Sequence, residues 1–128
     1  MRKTVTALTL LAASAAQAAP LAEERVIREG LIAAGIAYEI GEVCDSLDAR
    51  LLRGLAYLEQ LRGTALELGY TRAEIEAFLD DDAEADRLEA EARARLAAKG
   101  AVKGIAESHC AVGRAEIAAG TTIGQLLR

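Results

Sequence analysis

From Leu47 to Leu68, apolar or small residues fall at Leu47, Leu51, Gly54, Leu58, Leu61, Ala65 and Leu68, in steps that alternate four and three. That rhythm holds side chains on one face of an α-helix and conflicts with the two-residue alternation of a strand. Leu52, Leu55 and Leu66 widen the apolar face beyond the seam of a two-stranded coiled coil, so the helix is expected to pack inside a bundle. Asp45 or Ser46 is placed to cap its start, and Gly69 stands where a left-handed terminating residue is wanted.

The residues after Gly69 read as a stop and a restart. Thr71 and Glu74 have the spacing of a reciprocal capping box, and Tyr70 can close over Ile75 as a hydrophobic staple. The helix that begins at Arg72 should run through Phe78, Leu79, Leu88 and Leu96 to Gly100, with a bend near Asp80 to Asp82 where the apolar period lapses. Upstream, Leu21 to Val43 carries Ile27, Leu31, Ala34 and Tyr38 at helical spacing, widened by Ile36, Ile40 and Val43. Gly30, Gly35 and Gly41 in that segment either admit a close helix approach or mark bends.

Beyond a short connector at Ala101 to Gly104, Ile105 to Ala119 forms a fourth helical segment, with Cys110, Gly113 and Ile117 on one side. Ile123, Leu126 and Leu127 are placed to close one end of the core in a last helical turn. No strand-like alternation, repeat or low-complexity linker interrupts the pattern. The expectation is an all-α, bundle-like domain of four helices over residues 19–128.

Residues 1–18 have the three parts of a secretory signal: Arg2 and Lys3, the apolar run Val5 to Ala16, and the small-x-small site Ala16-Gln17-Ala18. Cleavage is expected after Ala18, since cutting one residue later would put Pro20 directly after the scissile bond. An uncleaved anchor would need ~20 apolar residues where this run offers about 12, so the mature chain is expected to lack a membrane span. No cysteine lies near the cleavage site, which excludes a lipoprotein. The expected location is the periplasm.

Losing residues 1–18 removes two positive charges and no negative ones, which moves the formal charge of −5 to −7. An acidic chain with four aromatics (Tyr38, Tyr57, Tyr70 and Phe78) and no basic cluster argues against nucleic acid, because Lys and Arg supply most of that affinity. The same balance argues against anionic lipid surfaces. In an oxidising compartment, Cys44 and Cys110 make one disulfide the default reading, and closing a loop of about 66 residues is worth roughly 4 kcal/mol. The alternative, two thiols in redox exchange, would want a close C-x-x-C pair, which the sequence lacks. A bridge would pin the first helix to the last.

The side chains for familiar chemistries are sparse. Asp80, Asp82, Glu84 and Glu91 fall at four ligand positions of a calcium loop, but Ala85 stands where such a loop needs glycine for its turn, so a solvated acidic helix face is the better reading. His109 is the only imidazole. Its neighbour Ser108 points about 100° away on a helix, and Glu107 is the nearest candidate to orient it, so it is read as a surface or boundary residue. There is no C-x-x-C-H, no phosphate loop, no G-x-S-x-G and no H-E-x-x-H. No catalytic, cofactor-binding or metal-ligating residue is expected.

The segments Leu68-Gly69-Tyr70-Thr71-x-x-Glu74-Ile75-x-Ala77-Phe78-Leu79 and Glu107-Ser108-His109-Cys110-Ala111-Val112-Gly113-Arg114-x-Glu116-Ile117, with Cys44 and Ala49-Arg50, carry a resemblance. The sequence resembles a family of short, exported, two-cysteine proteins of alphaproteobacteria known only as a domain of unknown function. The resemblance spans essentially the whole chain, and its most specific part is Cys110-x-Val112-Gly113-Arg114-x-Glu116-Ile117. It implies a helical fold and paired cysteines, brings no catalytic residues, and points toward an accessory or assembly role in an envelope or respiratory complex. In that family an aromatic such as Tyr is expected where this chain has His109.

The expected function is therefore a non-enzymatic binding or assembly protein whose partner is another periplasmic or membrane-complex protein. Leu52, Leu55, Ile123, Leu126 and Leu127 are the candidate contacts. The alternative is a carrier of a small apolar ligand held in the bundle interior, made possible by many Ala and Gly. A hydrolase using scattered carboxylates is the third reading.

Overall fold

A computed structural model describes residues 19–128, and the expected signal at 1–18 lies outside the described residues. Among the described residues a 3-10 turn at Leu21–Glu23 leads into six helices: α1 (Arg25–Val43), α2 (Leu51–Glu67), α3 (Arg72–Leu79), α4 (Asp82–Ala98), α5 (Ala106–Ala119) and α6 (Thr122–Gln125). The fold is all-α, and the four expected segments become six. The segment expected from Arg72 to Gly100 is broken outright: Asp80 ends α3, and the Asp81 side chain accepts a hydrogen bond from the Glu84 amide at 3.1 Å to start α4. A carboxylate at an N-cap satisfies an amide that the helix itself leaves unpaired, which converts the expected bend into a restart.

The stop and restart after α2 follow the sequence closely. Gly69 takes φ 97°, where a Cβ would be strained. The Thr71 hydroxyl accepts from the Glu74 amide at 3.1 Å, and the Glu74 carboxylate accepts from the Thr71 amide at 2.7 Å. Tyr70 and Ile75 are both buried in one cluster, as a staple requires.

Helix α1 is the centre of the molecule and packs against α2, α4, α5 and α6. Its most deeply buried residues are Ile32, Ile36 and Ile40, one turn apart, with Cys44 following at its end. The expected stripe is thus rotated: Ile27 is buried, but Tyr38 is exposed, because α4 and α5 claim the Ile32–Ile36–Ile40 face. Gly30 and Gly41 serve close approaches rather than bends. A Cβ at Gly30 would lie 2.6 Å from Leu61 Cδ2, and one at Gly41 2.7 Å from the Ala49 amide nitrogen.

Two apolar clusters share α1. The larger joins Ile32, Ile36 and Ile40 to Ala92 and Leu96 of α4, Cys110 and Val112 of α5, and Ile123, Leu126 and Leu127 of the C-terminal segment. The smaller joins Leu21 and Ile27 to Leu61 and Ala65 of α2 and to Tyr70 and Ile75. Cys44 and Cys110 form a disulfide with their Cα atoms 5.2 Å apart, so the end of α1 is tied to α5. The loop after Cys44 is held by the C-terminal tail: Asp48 and Arg128 exchange backbone hydrogen bonds at 2.9 and 3.0 Å, and the Arg50 amide donates to the Leu126 carbonyl at 2.8 Å. With that backbone committed to the tail, α2 begins at Leu51 rather than Leu47, and neither Asp45 nor Ser46 caps it.

Polar links close the remaining seams. Arg95 of α4 makes a forked bond to Glu29 of α1 at 2.6 and 2.9 Å, and this guanidinium holds the Glu29 carboxyl below the usual glutamate range. Burial pushes Glu116 up, but hydrogen bonds from Lys99 (2.6 Å) and the Thr121 hydroxyl outweigh it and leave that carboxyl lowered. Glu116 thereby joins the end of α4 to α5 and to the cap of α6.

Candidate protein-interaction surface

Helix α2 has more leucine than the body of the protein can cover. Leu61 and Ala65 face inward, where they meet Leu21, Ile27, Tyr70 and Ile75. Leu52 stands nine residues before Leu61, which is two and a half turns at 3.6 residues per turn, so the two point to opposite sides of the helix. No single core can bury both. The outcome is an exposed face: Leu52 is 85% exposed, Leu51 67%, Leu55 61%, Leu68 47%, Leu58 39% and Leu66 38%. On α3, Leu79 adds a further exposed side chain at 61%.

Leu55 and Leu58 also line one wall of a groove of about 540 Å³ between α2 and α3, whose floor is Leu21, Ile27, Leu31 and Leu61 and whose far wall includes Phe78 and Leu79. The groove carries only two charged side chains, Glu59 and Arg62. Among the described residues neither takes part in a salt bridge. An apolar strip of this extent on a small domain is the kind of surface that marks a contact site.

Of the five residues expected to meet a partner, the structure brings Leu52 and Leu55 to this face and puts the other three elsewhere. Ile123, Leu126 and Leu127 are core residues, because the tail folds back along Asp48–Arg50 and drives them against α1 and α5. Leu51, Leu58 and Leu68, whose spacing predicts one shared packing face, are instead exposed, and Leu79 of α3 joins them. The signal was present in the spacing: leucines at 51, 52, 55, 58, 61 and 66 spread over half the circumference of one helix, wider than a single packing face.

His109 corrects the expectation of a surface or boundary residue: it is buried, with Nδ1 3.3 Å from the Ile105 carbonyl oxygen. The Ser108 hydroxyl is occupied by the backbone of the preceding loop, accepting from the Val102 amide at 2.7 Å and donating to the Ile105 carbonyl at 2.6 Å. Glu107 pairs with Arg114 rather than with the imidazole. Ile117 is exposed and so does not share the burial of Cys110 and Gly113, with which the spacing groups it, since Glu116 takes the buried position beside it. A second cavity of about 520 Å³ borders His109 and is lined by Glu39, Arg93 and Lys103 as well as apolar side chains. In the acidic stretch, Asp81 is spent on its helix cap and Glu84 pairs with Arg87 at 2.7 Å. Among the described residues no three His, Cys, Asp or Glu side chains gather as metal ligands, and no helix is long and apolar enough to cross a membrane.

Residues 19–128 match the family described as "Family of unknown function (DUF5333)" over every helix of the fold. The chain belongs to this family. The match starts at the residue after Ala18, so the disulfide, the capping box and the leucine face of α2 all lie within the DUF5333 domain. No match was found among curated proteins or among solved structures.

Proposed function

We propose that this DUF5333 protein is an exported, non-enzymatic protein-interaction module, acting as an assembly or accessory factor in the cell envelope, with the α2 face and the α2–α3 groove as its contact surface. The observation that carries the reading is the set of five α2 leucines exposed between 38 and 85%, with exposed Leu68 just past the helix end, running out of an apolar groove. Leaving such side chains in water forgoes about 1.5–3 kcal/mol each relative to burial, an expense that association recovers. The leucines extend from the groove onto Leu51 and Leu52 at the start of α2, an extent that suits a helix laid along the groove better than a small apolar ligand. The groove also opens at the surface between α2 and α3, while the interior is filled by Ile32, Ile36 and Ile40. A disulfide suits an oxidising compartment and supports the exported setting.

A photo-activated cross-linker placed at Leu52, in the full chain expressed with its own leader in its own host, tests the reading. The expected result is a discrete cross-linked product containing protein on both sides, lost when Leu55→Ser is added. A chain that is exported and folded but cross-links to no protein from Leu52 overturns it.

A further inference from the structure

The occupant of the α2 face follows from the order of its residues. Leu52, Leu55, Glu59, Arg62 and Leu66 are spaced three, four, three and four, the rhythm of a coiled-coil seam; Leu52, Leu55, Glu59 and Leu66 are exposed, and the part-buried Arg62 borders the groove together with Leu55 and Glu59. The inner four, Leu-Glu-Arg-Leu, read backwards as Leu-Arg-Glu-Leu. A second α2 laid antiparallel, with its two-fold axis between residues 60 and 61, sets Leu55 against Leu66 and Glu59 against Arg62, and the symmetry makes each pair occur twice.

The same helix laid parallel would set Glu59 against Glu59 and Arg62 against Arg62, which is repulsive at both positions. Glu59 and Arg62 are free for this pairing, since among the described residues neither takes part in a salt bridge. We infer that the partner of the α2 face is a second copy of this chain, joined as an antiparallel α2–α2 dimer in which Glu59 of each copy pairs with Arg62 of the other. A two-fold contact of this type is self-complementary and closed, so it stops at the dimer. The groove beside Leu55 and Leu58 then lies along the flank of the incoming helix, and Leu79 extends the covered surface. The inference rests on the reading of α2 as a docking surface and names what docks there.

The test is the mass in solution of the exported chain, disulfide intact, measured by sedimentation across a concentration series, with helicity and thermal midpoint as controls for folding. The native chain is expected at twice its monomer mass. Glu59→Arg alone and Arg62→Glu alone each set like charges against one another and should weaken self-association by on the order of tenfold to 100-fold. The double variant Glu59→Arg with Arg62→Glu restores both pairs with their signs exchanged and should recover the native dimer. With Glu59 exposed and Arg62 only part-buried at the edge of the groove, a folded monomer from either single variant and a folded dimer from the double variant together establish the register. A native chain that stays monomeric overturns the dimer, and so does a dimer indifferent to both single charge reversals. If in either case Leu52 still cross-links to a different protein, the docking reading stands and only the identity of the partner has failed.

Discussion

Reducing the Cys44–Cys110 disulfide isolates one term of this protein's stability. The bridge spans 66 residues of sequence, and both sulfur-bearing residues are buried against the Ile40 end of α1. Reduction leaves two thiols in the same packing, so the main loss is the restriction that the bridge imposes on the unfolded chain. The chain-entropy relation for a loop of that length gives about 14.6 cal/mol/K, or roughly 4.3 kcal/mol at 25 °C. Unfolding entropy of about 2.1 cal/mol/K per residue over the described domain amounts to roughly 230 cal/mol/K, so the loss corresponds to a drop of about 19 °C in thermal midpoint. Circular dichroism melts with and without reductant, on the same sample and with thiols counted after reduction, measure it directly. A drop under about 5 °C with both thiols confirmed free would refute the argument. It would mean that residual structure in the unfolded chain already restrains the same loop.

Further outcomes follow from individual contacts. Gly124→Ala would bring a Cβ to 2.1 Å from the Glu116 carbonyl oxygen, a backbone atom that cannot swing aside, and should destabilise by at least about 2 kcal/mol; Gly54→Ala meets nothing within 4 Å inside α2 and should stabilise by about 0.5–1 kcal/mol, both read by urea melts. Thr71→Ala removes one arm of the capping box and should cost about 0.5–2 kcal/mol by the same assay. The carboxyl of Glu116 is lowered in the fold, so its contribution is full above the ordinary glutamate pKa and fades as pH falls through the folded value. Glu116→Gln should therefore lose stability at neutral pH, by about 1–3 kcal/mol, and show a shallower loss than the native chain on acidification. An identical acid profile for the two would refute that assignment.

Local punctuation was legible in the sequence because it acts within a few residues. Thr71 and Glu74 find each other across one helical turn whatever the rest of the chain does, and Gly69 ends α2 by its own freedom at positive φ. The disulfide was legible for a different reason: two cysteines admit one intramolecular pairing. The restart at Asp81 was half legible, as a lapse in apolar period without its cap. Of the residues expected to meet a partner, Leu52 and Leu55 lie exposed because α2 carries apolar residues on more than one face.

Which face of each helix is buried was decided only in three dimensions. Periodicity gives a stripe but no partner, and Leu58 and Leu61 satisfy the same heptad while one is part-exposed and the other buried. That choice was made when α1 and the Tyr70–Ile75 staple covered one side of α2 and, among the described residues, none covered the other. The fates of Ile123, Leu126 and Leu127 were set the same way, by a tail that returns across about 75 residues of chain to pair with Asp48 and Arg50. Glu116 became buried where the end of α4 and the cap of α6 close over α5, its carboxylate bonded to Lys99 and Thr121, and His109 is buried one position before the bridged Cys110. The sequence by itself determined where helices begin and end and that two cysteines could join; long-range closure decided what each helix hides, because burial depends on the whole chain at once.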